Sequence, residues 1–314
     1  MLNGSLEKDV KSYLVTYSEY LLRYRGLSNA TVRTYAQDLN TFVEFLSMTK
    51  INKFDDVDRR TVRRFLAFLV DSAYKRSSIS RKLSVLRGFY RWLVSEEIST
   101  VDPVPRRSTM KKENRLPRFL SHEEISRLID SPKSGASSES LVNRDVALFE
   151  LIYAAGLRVS EVNSIDIGDI DLDSKTLRIV GKGDKERISL IGTSAALALG
   201  KYVNADRAKV KNADLIDALF LSSRGSRLSV RSIQSIVKKH SRSAGLGSEV
   251  HTHTLRHSFA THLINGGADL RIVQDLLGHS SPVTTQIYTH VTGVESRKSY
   301  QDAHPLAQES EEAN

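Results

Sequence analysis

One break in texture, a third of the way along, constrains this chain more than any other feature. Between 101 and 117 stand Pro103, Pro105 and Pro117 with Arg106, Arg107, Lys111, Lys112 and Arg115, and little that is apolar. Proline fixes φ and removes a backbone donor, so such a stretch makes neither a helix interior nor a central strand. The expectation is an extended linker at 103–117 between an N-terminal part, 1–102, and a second folded part, 118–298, with a C-terminal tail at 299–314. At 314 residues the chain is long enough for two cores.

The N-terminal part reads as helix throughout. Ser28 is placed to cap a helix on which Val32, Tyr35, Leu39, Phe42, Phe45 and Leu46 recur at steps of three and four. Val62, Phe65, Leu66 and Leu69 mark a second helix, and Ile79, Leu83, Leu86, Tyr90 and Leu93 a third. Basic residues lie between these apolar stripes. From 59 to 91 there are ten (Arg59, Arg60, Arg63, Arg64, Lys75, Arg76, Arg81, Lys82, Arg87 and Arg91) against one acid, Asp71. Arginines at a helix start oppose its macrodipole, so helix stability does not explain Arg59–Arg64, whereas an external anion does. The formal net charge of +9 favours a polyanionic partner or simply a basic solvated surface. Its concentration in one segment favours a nucleic acid, with Arg59, Arg60, Arg63, Arg64, Arg81, Lys82, Arg87, Arg91, Arg106 and Arg107 as the candidate contact set.

The second part is expected to be mainly helical with one small β element. Ser121 and Glu124 have capping-box spacing. Residues 176–180 and 186–190 alternate apolar and polar around Gly181-Lys182-Gly183-Asp184, a hairpin signature. Helices are expected at about 229–244, 254–265, 270–277 and 282–291.

The polar residues of this part each admit a bland reading. Arg256 lies beside the stripe Leu255, Phe259 and Leu263, where a covered guanidinium needs a carboxylate partner or a visiting anion. Arg158 begins a helix with Glu161 one turn on, an ordinary ion pair or an arginine held toward an anion. Lys182 is either a solvated turn lysine or a phosphate contact. Tyr288 by itself is one of eleven tyrosines. His253 and His257 share a helix face, but no glutamate stands between them as in a zinc protease, and the chain has no cysteine, so no metal is expected. The absence of cysteine also excludes disulfides and a thiol nucleophile, and suits a cytoplasmic protein. No run of about 18 apolar residues reads as a membrane span, and the first residues do not read as a secretory signal.

Taken in order, these segments resemble one family. Gly156-Leu157-Arg158-Val159-Ser160-Glu161, Gly181-Lys182-Gly183-Asp184-Lys185-Glu186-Arg187, His253-Thr254-Leu255-Arg256-His257, Leu277-Gly278-His279 and Thr285-Gln286-Ile287-Tyr288 follow the signature of tyrosine recombinases, the phage-integrase family, Xer-type. The N-terminal bundle with Tyr24-Arg25-Gly26-Leu27-Ser28 resembles the core-binding domain with which Xer recombinases clamp double-stranded DNA, and Ala303-His304-Pro305 is similar to the Xer C-terminal pattern. The resemblance implies a helical, SAM-like core-binding domain followed by an α/β catalytic domain. Its implied catalytic set is Arg158, Lys182, His253, Arg256, His279 and the nucleophile Tyr288, with Glu161 in support and His257 and His262 structural. It further implies strand cutting and rejoining through a 3′-phosphotyrosyl link with no cofactor. The implied assembly is a homo- or hetero-tetramer on DNA, in which a segment near 293–304 docks on a neighbour. A second Xer recombinase and a DNA translocase are the further partners implied. Chromosome-dimer resolution is the expected role; a phage or mobile-element integrase, a type IB topoisomerase-like activity and a catalytically silent DNA-binding relative are the alternatives.

Overall fold

A computed structural model describes residues 4–49, 51, 53–105, 118–136, 141–181, 186–211, 213–278, 300 and 302–305. The chain divides into two compact units, Met1–Arg115 and Leu116–Asn314.

Among the described residues, four α-helices build the first unit: α1 (Gly4–Arg23), α2 (Asn29–Ser47), α3 (Arg59–Asp71) and α4 (Arg76–Ser95). Ser28 does cap α2, its Oγ accepting from the Thr31 amide. Asp58 caps α3, accepting from the Thr61 amide at 2.7 Å, which supplies the negative charge that the arginine-rich first turn lacks. The expected apolar stripes close one core, where Phe42 packs edge-on against Phe65 at 4.9 Å and Phe89 against Tyr17 at 5.2 Å. Val104, assigned to the linker by its prolines, is buried in this core. Arg87 donates from Nη2 to the Pro105 carbonyl at 2.6 Å. The chain between 102 and 105 is therefore part of the first unit.

The second unit is centred on α6 (Val142–Ala154), whose residues from Ala147 to Ala154 are all buried. A helix buried on every side over two turns belongs at the middle of a core. Around it stand α5 (His122–Asp130), α7 (Val159–Ser164), α8 (Thr193–Lys201), α9 (Val230–Ser243), α10 (Thr252–Asn265) and α11 (Leu270–Leu276). The Ser121–Glu124 capping box forms at the start of α5. A buried polar cluster closes one side of α6: Asp145 receives Arg144 at 2.6 Å and lies 3.2 Å from His240, whose other ring nitrogen meets Ser131 Oγ at 3.0 Å.

The hairpin is present as β2 (Thr176–Val180) and β3 (Glu186–Leu190), and a short β1 (Ile170–Asp171) extends it to three antiparallel strands. Its facing corrects the period-2 reading of β3. Arg187 pairs with Ile179 and Ser189 with Leu177, so these four share the covered side, while Ile188 turns outward and is 72% exposed.

The C-terminal tail is corrected as well. Tyr300, Ala303 and His304 are buried in the second core, with Tyr300 donating to the Ala154 carbonyl at 3.1 Å. His304 lies among Tyr300, Tyr153 and Phe259, at ring distances of 4.7, 5.0 and 5.5 Å. No helix among the described residues is long and apolar enough to cross a membrane.

Candidate active site

The site starts from α10. Leu255, Phe259 and Leu263 anchor it in the core, as its periodicity predicts, and this places Arg256 on the covered side with 8% of its surface exposed. Arg256 Nη1 donates to the Gly156 carbonyl and Nη2 to the Leu277 carbonyl, both at 2.6 Å. Each Nη nitrogen carries a second N–H beyond the one so used. Gly156 makes this approach possible: its φ is +56°, and a Cβ there would lie 2.5 Å from the Phe259 ring.

Two residues beyond that glycine, Arg158 caps the short helix α7. Glu161 reaches back to accept from the Arg158 amide at 2.8 Å and from its Nη1 at 2.7 Å. The expected ion pair exists, but it is not an isolated surface pair. Glu161 is 3% exposed and also receives both Nη atoms of Arg187, at 3.0 and 3.1 Å, while Arg256 Nη1 stands 3.7 Å away. Burial alone would raise the Glu161 pKa. The hydrogen bonds from Arg187 and then Arg158 outweigh it, leaving the carboxyl below its usual range. Arg256 is pushed down to about 10, first by burial and then by the like charge of Arg158.

Three guanidiniums thus converge on one carboxylate. Their positive charge exceeds what Glu161 neutralises, in a place where solvent does little to screen it. Arg158 keeps a third of its side chain exposed, so the cluster opens to one side. His253, one helical turn before Arg256, is exposed on the same helix. By contrast His262 is buried and bonded through Nδ1 to the Tyr153 hydroxyl at 2.8 Å, which suits a structural part. Lys182, His279, Tyr288, Arg106, Arg107 and the helix expected at 282–291 lie outside the described residues. Arg187 stands in the hairpin motif but carried no expected role. Its inward facing depends on Glu161, 26 residues earlier, and no local pattern reveals that.

In the first unit Arg59, Arg60, Arg63, Arg64, Arg81 and Arg91 are exposed, and Arg87 is partly covered. Lys82 corrects the expected contact set. It is buried, with its amine held by Asp38 at 3.0 Å and Thr41 at 2.8 Å, so it is not available to a phosphate.

Comparison with known proteins gives the same two parts. The phage integrase family matches residues 118–294, and its N-terminal SAM-like domain matches 14–97. The chain is 44% identical over 292 residues to the tyrosine recombinase XerC of Halalkalibacterium halodurans, covering 92% of this chain and 95% of that protein. It is a Xer-type tyrosine recombinase of the phage integrase family. Similarity to XerD of Bifidobacterium longum is 39% over 288 residues, covering 90% of this chain and 94% of that one. Among solved structures, the XerH site-specific recombinase bound to a palindromic difH substrate in a post-cleavage complex is 27% identical with a TM-score of 0.68. That match covers 92% of this chain and 80% of XerH.

Proposed function

We propose that this recombinase cuts and rejoins DNA at a specific site through Tyr288, with the Arg158–Glu161–Arg256 cluster holding the scissile phosphate. One observation carries the reading: among the described residues, three guanidiniums gather on one buried carboxylate, and Arg158 stays part-exposed beside it. An attacking hydroxyl adds negative charge to an already anionic centre, and forked donors fixed beforehand stabilise that charge with little reorganisation. Arg256, locked by two carbonyls, and Arg158, locked by Glu161, supply such donors. The free pKa of tyrosine is near 10, so its proton must leave during attack. His253 is assigned as the base, His279 as a hydrogen-bond donor to the phosphate, and Lys182 as the acid for the departing 5′ oxygen. The covalent link conserves bond energy, so a different 5′ hydroxyl can reseal the strand without ATP.

The exposed arginines of α3 and α4 neutralise phosphates on the same duplex and give binding a steep salt dependence. Assembly as a tetramer on DNA, work alongside a second Xer recombinase and a translocase, and resolution of chromosome dimers complete the proposal. The likeness to both XerC and XerD over nine tenths of the chain supports it. The test is a denaturing gel of protein mixed with nicked site DNA. Wild type yields a covalent protein–DNA band, and Tyr288→Phe binds the DNA yet yields none. A band from Tyr288→Phe would overturn the assignment.

A further inference from the structure

Strand β3 is built against its own sequence. Ile188 is 72% exposed while its neighbour Arg187 keeps only 15% of its side chain exposed. A shift of register by one residue would bury the isoleucine and release the arginine, so hydrophobic burial alone favours the opposite facing. What holds the observed one is the fork-to-carboxylate match between Arg187 and Glu161, at 3.0 and 3.1 Å. Arg187 touches the site a second time. Gly278, with φ of +63°, lies so close that a Cβ there would stand 2.9 Å from Arg187 Nη1 and 3.2 Å from its Cδ. The Gly278 carbonyl lies 3.5 Å from Arg158 Nη2, and the next residue is His279.

We propose that Arg187 is a positioning residue for strand cleavage, fixing the Glu161 carboxylate that orients Arg158 and tying the paired strands β2 and β3 to that carboxylate. The inference rests on the recombinase reading above. Arg187 does not touch the phosphate; it acts through Glu161 and through the backbone at Gly278. Removing it leaves Glu161 with fewer donors, and the carboxylate is free to swing. Arg158 then loses its fixed geometry, and a displacement of about an ångström at a reacting centre slows reaction roughly 10²-fold.

The experiment measures single-turnover formation of the covalent adduct on a nicked duplex carrying the protein's cleavage site. One form has a normal scissile phosphate and the other a neutral methylphosphonate. Arg187→Ala is expected to slow the normal substrate about 10²-fold with DNA affinity within about threefold of wild type. On the methylphosphonate, which asks less of the arginine clamp, the deficit shrinks to under about tenfold. Arg187→Lys, which keeps the charge but not the planar fork, recovers only part of the rate. Added to Glu161→Gln, Arg187→Ala costs less than about threefold more, because both changes remove one unit. Thermal melts verify folding, and should Arg187→Ala not fold, Arg187→Lys carries the same comparisons. A wild-type rate in Arg187→Ala, an equal loss on both substrates, or full additivity with Glu161→Gln overturns the inference. Failure of the recombinase reading looks different, since wild type itself would then form no adduct.

Discussion

Lys82 and Arg63 carry the same charge in the same basic segment, yet their surroundings separate them. Lys82 shares the buried Asp38 with Arg81, which bonds the other carboxylate oxygen at 2.6 Å. Removing one partner of a buried pair costs about 3–5 kcal/mol when the other is stranded, and here Arg81 remains to soften the loss. Lys82→Ala is therefore expected to destabilise the protein by roughly 2–3 kcal/mol in chemical denaturation while leaving the salt slope of DNA binding unchanged. Arg63→Ala should do the reverse, altering stability by less than about 0.5 kcal/mol and lowering the salt slope by about one. The inward turn of Lys82 was not legible because Asp38 lies 44 residues away on another helix. Arg187 escaped notice for a similar reason: its alternation with Ile188 pointed the wrong way, and only the tertiary position of Glu161 reverses it. Arg158 and Glu161 were legible because their pairing is completed within one helical turn.

At the scale of elements, the segment around Tyr300–His304 behaves as a plug in the second core, not as a tail. His304 has its pKa pushed down to about 3, by burial first, and His262 to about 4, by burial and then by the charge of His122. The groups facing His304 are Tyr300 from its own segment, Tyr153 from α6 and His262 from α10, with His122 from α5 beyond, at 4.1 Å from His262. A folded pKa below the unfolded value near 6.5 means that the unfolded chain binds protons first. Stability from these histidines is thus full above about pH 6.5 and is lost progressively as pH falls toward 4. Across that window, acidification by one pH unit removes up to about 1.4 kcal/mol for each buried histidine. The melting temperature is expected to drop steeply between pH 6.5 and 4.5, and His304→Phe, which keeps an aromatic ring without a proton site, should flatten that drop. Equal pH slopes in the two proteins would refute the assignment to His304. The plug was hard to read from sequence because Ala303-His304-Pro305 is short, has no helical period, and sits beside an acidic terminus.

Across the whole molecule, two separate hydrophobic cores and a basic surface on the first unit belong to one proposed task, and the broad outline was readable in advance. Periodicity marked α2, α3, α4 and α10, the capping box marked α5, and the prolines marked the change of unit. The edges were less legible, since Val104 and Tyr300 are claimed by cores that no local signal announces. At this scale the biological role is open to measurement. Mapping covalent cleavage positions across the host genome is expected to give a single dominant site near the replication terminus. Many scattered sites, or one within a mobile element, would instead favour integration.

In the free protein, the like charges gathered around Glu161 are a standing liability to the fold, so the resting molecule is less stable than its cores would allow. Selection for melting temperature alone would neutralise Arg158 or Arg256, and with them the proposed phosphate clamp. On the proposed mechanism, thermal robustness and strand cleavage are therefore set against each other at Arg158 and Arg256, and a bound phosphate would reconcile them.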